Sequence, residues 1–212
     1  MSMPRYLTEF VGTLFFVLTI GLVVISANPM APLAIGAALM VVVYMGAPVS
    51  GAHVNPAVTL ALFLRGKMPR ADLLPYWGAQ LLGGLSGAYL ARMFTDQTFT
   101  IAPAATASPG VAVLVEAMYT ALLALVVLNT AARESVKGNS YFGLAIGFTI
   151  VIAAFAGGPI SGGAFNPAVA TGAIVIDALC GDGSLGNLWL YLVGPLAGGV
   201  VGAGIFKLQR ET

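Results

Sequence analysis

From Phe10 to Leu64 the chain runs for 55 residues without an Asp, Glu, Lys or Arg, and an interruption at Asn28-Pro29 separates its first two spans. An α-helix rises 1.5 Å per residue, so about 20 apolar residues cross about 30 Å of hydrocarbon. The run is too long for two spans and too short for three. It divides into two full helices, near 7–26 and 32–50, and a remainder near 55–64 that is half a membrane long. A second uncharged run, Gly138 to Ile176, is 39 residues long and divides the same way. It predicts a full helix near 140–158 and a half-length piece near 166–176. Further spans fall near 71–92, 111–132 and 188–207. The pattern predicts an all-α membrane protein of six transmembrane helices and two re-entrant half helices.

Both half-length pieces begin with the same tripeptide, Asn55-Pro56-Ala57 and Asn166-Pro167-Ala168. Asn is a favoured N-cap, and Pro is pre-organised for a first helical turn. The tripeptides end longer matched phrases: Gly46 to Ala61 and Gly157 to Gly172 share eight of sixteen positions at an offset of 111. A second match, at an offset of 115, pairs Tyr76, Leu81, Gly83, Gly84, Gly87 and Ala88 with Tyr191, Leu196, Gly198, Gly199, Gly202 and Ala203. The chain is two related halves, about 1–95 and 108–212, within a single membrane domain spanning 1–212. Three predicted spans separate Asn55 from Asn166. That number is odd, so the half helices enter from opposite faces and their N-termini meet near the midplane, as in an inverted repeat. The glycine-bearing stretches before each Asn are not helical. Hydrocarbon tolerates such backbone only where it lines a wet cavity or packs inside protein.

Composition narrows the class. Hydrophobic residues make up 58% of the chain and charged ones 8%, against roughly 25% charged in a typical soluble domain. A formal charge of +1 without a basic cluster argues against nucleic-acid partners. The single cysteine, Cys180, excludes an internal disulfide and any Cys-based metal site, and with one histidine, His53, any other metal site would be meagre. Glu9 inside the first apolar run argues for a retained first helix over a cleaved leader. Orientation follows from Lys and Arg. Arg5, Arg65, Lys67, Arg70, Arg133, Lys137, Lys207 and Arg210 fall on one side of the six-span arrangement, and Arg92 alone on the other. Both termini are therefore expected in the cytoplasm.

The paired Asn-Pro-Ala motifs, their spacing, the helix count, and Glu9 and Glu116 early in the first helix of each half resemble the aquaporin, or major intrinsic protein, family. The resemblance covers essentially the whole chain. It implies a bacterial-type, multi-pass plasma-membrane channel for water and other small neutral solutes, assembled as a homotetramer with one pore per subunit and no cofactor. In such a pore the Asn55 and Asn166 amides donate hydrogen bonds to passing molecules. The positive ends of two half helices, each about half an elementary charge, repel cations.

The resemblance also implies a selectivity constriction at Ile35, Ala154, Gly163 and Val169. The family's usual water filter has an aromatic ring, a histidine and an arginine, the last at the position of Val169. None is present here, so the expected constriction is apolar and wider than a strict water filter. Glycerol-type members tend to place Asp after the Arg, where this chain has Ala170. Glu9 and Glu116 are read as acceptors bracing the irregular loop backbone in preference to a proton relay, because intramembrane acids need partners and both loops need the same support. His53 is read as bracing or lining the pore loop in preference to a pH gate.

Two other classes fit the residues less well. An ion-coupled secondary transporter also uses inverted repeats and broken helices, but it needs coupling-ion ligands at the midplane, and no carboxylate adjoins either Asn-Pro-Ala. An intramembrane enzyme lacks the His–Glu spacing of a metal site. The topology is testable by labelling. With Cys180 replaced, Lys67→Cys should resist an impermeant thiol reagent in intact cells and react after permeabilisation. Reaction in intact cells would contradict the expected orientation.

Overall fold

The computed structural model describes residues 3–209, so Arg210 of the basic set lies outside the described residues. Its helices are α1 Met3–Ile25, α2 Ala31–Ser50, α3 Pro56–Leu64, α4 Leu73–Thr95, α5 Pro109–Thr130, α6 Phe142–Ala156, α7 Gly158–Ser161, α8 Pro167–Cys180 and α9 Leu188–Leu208. No strand occurs among the described residues.

Helices α1, α2 and α5 and the segment 185–208 are each long and apolar enough to cross a bilayer. Helix α4 has the length, at 23 residues, but is more polar because Tyr76 and Gln80 are turned into the protein, both buried. Helix α6 has 15 residues, about 22 Å at 1.5 Å each, which is too short. After a break at Gly157 the chain resumes as α7, and the segment 142–161 then matches α2 in length and register. The expected single helix over 140–158 is thus two pieces. In α2 the residues before Pro48 are Gly46-Ala47 and the helix continues through the proline. The second half has Gly157-Gly158 before Pro159, and the weaker helix propensity of paired glycines lets the proline break the helix.

The halves interlock. Helix α1 packs on α4 and α5 on α9 within each half, α2 meets α6 between halves, and each half helix crosses over: α3 packs on α9, and α8 on α4. Glycine makes these approaches possible. A Cβ at Gly83 or Gly87 would lie 2.5 and 2.4 Å from the carbonyls of Phe10 and Leu14, and one at Gly198 would lie 2.3 Å from that of Ala117. Gly84 and Gly199 serve the half helices, where a Cβ would come 2.3 Å from Ala168 O and 2.5 Å from Ala57 O. Backbones approach this closely only over residues without side chains. Phe15, Val41, Leu82, Met118, Phe148 and Val193 remain exposed around the outside, an apolar belt suited to lipid.

The basic residues gather at one end. Arg5 pairs with Asp72, and Arg65 and Arg133 both lie over the Phe206 ring. At the other end Arg92 pairs with Asp96, and Thr98 donates to Asp177. Cys180 closes α8 and is exposed.

Gly84→Val should destabilise the fold by more than the usual overpacking cost of about 1–3 kcal/mol, seen as a lower thermal midpoint in detergent, because the obstructing atoms are backbone. Gly78→Val, with no atom within 4 Å of its added Cβ, is the control and should leave the midpoint nearly unchanged. Equal midpoints for the two variants would contradict the close-packing account.

Candidate functional site

The two half helices start where expected. Asn55 and Asn166 adopt extended backbone, with φ of −156° and −158°, and Pro56 and Pro167 occupy the first turns. Each Asn Oδ1 accepts from the N–H two residues on, Ala57 and Ala168, at 2.9 Å in both cases. Each amide then reaches across the halves: Asn55 Nδ2 donates to Phe165 O at 2.9 Å, and Asn166 Nδ2 donates to Val54 O at 2.8 Å. An amide nitrogen carries two N–H donors, so one remains on each Asn after these bonds.

The accepting residues are strained. Val54 and Phe165, immediately before each Asn, have φ of +41° and +49°. For non-glycine residues this region costs on the order of 1–3 kcal/mol, and it persists only where surroundings hold it. Here the holding groups are two buried glutamates. Glu9 Oε1 accepts from Ser50 Oγ at 2.7 Å and from His53 N at 2.9 Å. Its Oε2 accepts from Val54 N at 2.7 Å and from Gln80 Nε2 at 2.8 Å. Glu116 repeats the pattern, accepting from Ser161 Oγ, Ala164 N and Phe165 N at 2.7, 3.0 and 2.6 Å. The strained residue thus gives its N–H to a glutamate and its C=O to the opposite Asn. Tyr76 and Tyr191 hydroxyls complete the support by donating to Ser50 O and Ser161 O.

The site has features that the motifs did not point to. Gln80 is fully buried, and it also donates to Thr59 Oγ1 at 2.9 Å. Its counterpart at the offset of 115 is Pro195, and that of Thr59 at 111 is Ala170, so the second loop lacks this added bracing. A lone Gln in the middle of an apolar helix was the available signal for Gln80. Tyr76 and Tyr191 were visible as a matched pair without a role. His53 uses its backbone for Glu9 while its ring Nδ1 lies 3.2 Å from Thr59 Oγ1.

A cavity of about 280 Å³ runs past both asparagines. Asn55, Asn166, His53, Ile35, Ala154 and Gly163 are all on its wall. Elsewhere the wall is largely aliphatic and aromatic, with Phe16, Leu39, Val43, Val127, Ile146 and Ile150 among its residues. At one end the α5–α6 connection contributes Val136, Lys137, Gly138 and Asn139. Val169 departs from the expected ring: it is 2% exposed, packed in the core, and not on the cavity wall. A short β-branched side chain at this place on α8 is absorbed by packing, so three of the four expected constriction residues meet the cavity. Among the described residues no cluster of His, Cys, Asp or Glu could hold a metal ion.

A helical inverted repeat with two half-helix ends meeting on one cavity is the architecture of a membrane transport protein. Residues 2–206 match the model of the Major intrinsic protein family, and the chain belongs to that family. It is 33% identical over 217 residues to Aquaporin NIP1-1 of Zea mays, covering 98% of this chain and 75% of that protein. It is also 33% identical to Glycerol uptake facilitator protein-like 6 of Lactiplantibacillus plantarum, covering 95% of each. Among solved structures, the aquaglyceroporin from Plasmodium falciparum superimposes with a TM-score of 0.86 over 97% of this chain and 96% of that one, at 22% identity, which shows the shared fold. The chain is a multi-pass membrane protein that passes water or small solutes passively, not an enzyme.

Glu9→Gln and Glu116→Gln each replace two acceptor oxygens by one and add donors where donors already crowd. Each buried N–H left unpaired costs about 1–3 kcal/mol. Both variants should lose thermal stability and water flux per assembled channel, measured in detergent and proteoliposomes, with Glu9→Gln the worse because it serves four donors. Wild-type stability in either variant would show that the glutamates do not hold the loops.

Proposed function

We propose that this chain forms a pore for water and small neutral solutes such as ammonia, urea and glycerol, and excludes ions and protons. The observation that carries the reading is the placement of Asn55 and Asn166 on one cavity wall, each with a spare amide N–H. A water oxygen that accepts from both asparagines is poorly placed to take a proton from its neighbour. The N-terminal ends of α3 and α8 add positive potential at the same place and disfavour cations. Glu9 and Glu116 are occupied by the loops and serve as braces, with His53 as part of the wall. Among the described residues no carboxylate lines the cavity, which favours a passive pore over ion-coupled transport.

Selection by size and polarity follows from the constriction of Ile35, Ala154 and Gly163, with Val169 packed behind. This ring offers few side-chain donors to replace the hydration that a polar solute sheds. The pore works as one domain of two halves, in a homotetramer in a bacterial-type plasma membrane, with both termini in the cytoplasm. The division of basic residues supports that orientation.

Val169→Arg tests the constriction. A side chain long enough to leave the core should enter the cavity, narrow it and add donors. In stopped-flow assays on proteoliposomes, with tetramer assembly checked first, glycerol and urea permeability should fall several-fold more than water permeability. An unchanged solute profile in the folded variant would place selectivity elsewhere in the pore.

A further inference from the structure

Arg65 follows the last turn of α3, and Arg133 lies just beyond α5, yet both guanidiniums lie over the ring of Phe206 near the end of α9. Their Cζ atoms are 5.8 and 5.2 Å from its centroid. Among the described residues neither arginine has a carboxylate partner. The ion pairs among the described residues are Arg5–Asp72, Arg92–Asp96 and Lys137–Glu134. Glu9 and Glu116 are committed to the loops, Asp177 accepts from Thr98, and Asp182 lies in the α8–α9 connection, away from this end. Glu211 lies outside the described residues.

Among the described residues one donor of the pair is used, with Arg133 Nη2 donating to Gln209 O at 3.0 Å. The Nε atoms of both arginines are buried without an acceptor among the described residues. Buried unpaired donors are costly, and two cations gathered on one ring repel. The channel itself does not call for this arrangement, since neither arginine lines the cavity. The same end also carries Lys67, Arg70, Lys137 and Lys207, so the local field favours an anion.

We propose that Arg65 and Arg133, ordered by Phe206, bind a phosphate group, carried either by an anionic lipid headgroup or by free phosphate. Planar guanidinium forks match phosphate oxygens with paired, charge-assisted hydrogen bonds, and the cation–π contact with Phe206 draws both to one place. Basic pockets between transmembrane helices are a recurrent setting for acidic headgroups. A phosphate held here links the end of α3, the α5–α6 connection and the end of α9, so its occupancy raises stability. The proposal depends on the channel reading only for the leaflet concerned, which the proposed topology makes the cytoplasmic one.

The test uses the full chain in neutral detergent and follows the thermal midpoint with short-chain dioctanoyl phosphatidic acid or with inorganic phosphate, at constant ionic strength. A saturable rise with phosphatidic acid alone assigns a lipid, and a rise with inorganic phosphate assigns a soluble ligand; both support the site. Arg65→Gln with Arg133→Gln should weaken the response at least tenfold. Lys67→Gln with Lys207→Gln, matched in charge lost, should leave it within twofold. If the first pair does not fold, Arg65→Lys with Arg133→Lys keeps the charge, removes the forks, and should still weaken binding several-fold. The proposal is overturned by an equal response in wild type and the arginine variants, by equal loss in the lysine control, or by no saturable response to either probe. It is also overturned if probe binding requires Glu211→Gln, since an internal carboxylate would then occupy the pair.

Discussion

The acceptor pair of a buried glutamate carries each pore loop, and the rest of the channel depends on it. Non-helical backbone at membrane depth leaves N–H groups that hydrocarbon cannot satisfy. Glu9 takes the N–H groups of His53 and Val54, and Glu116 those of Ala164 and Phe165. That anchoring holds Val54 and Phe165 in left-handed backbone, where their carbonyls meet the opposite asparagine. Without the carboxylates the loops have no reason to keep this conformation, the cross-half bonds have no acceptors, and the two helix ends have no fixed relation.

The crossover of the half helices turns this local bracing into a global one. Because α3 packs on α9 and α8 on α4, each half supplies the wall for the other's loop, and neither pore loop can be completed within one half. The glycines at 84 and 199 set how near the half helices come. The symmetry is incomplete in an informative way. Gln80 and Thr59 add a buried hydrogen-bonded link to the first loop, while Pro195 and Ala170 stand in the second. The second loop compensates with no extra acceptor; its glutamate serves three donors in place of four.

Much of this was legible in the sequence because the governing patterns are coarse. Charge-free runs of 55 and 39 residues dictate both full and half spans, and Asn-Pro marks a helix start from capping chemistry alone. The family resemblance pointed to Ile35, Ala154 and Gly163, which meet the cavity, and the two early glutamates announced themselves as acids that hydrocarbon would not leave unpartnered. Other features depend on side-chain reach. Val169 sits at the expected register, but its side chain is absorbed by the core. The break between α6 and α7 turns on one extra glycine before Pro159. The convergence of Arg65 and Arg133 on Phe206 joins three elements distant in the chain, and no local pattern encodes it.

In the proposed pore, braced loops present two asparagine amides and keep protons out. Stopped-flow permeability of wild-type proteoliposomes, with proton leak recorded on the same preparation, decides between this and a coupled or leaky pathway. Fast water and small neutral-solute flux is expected without any imposed ion gradient, with proton leak no greater than in empty vesicles. Flux that appears only with an ion gradient, or proton conductance that rises with channel density, would contradict it.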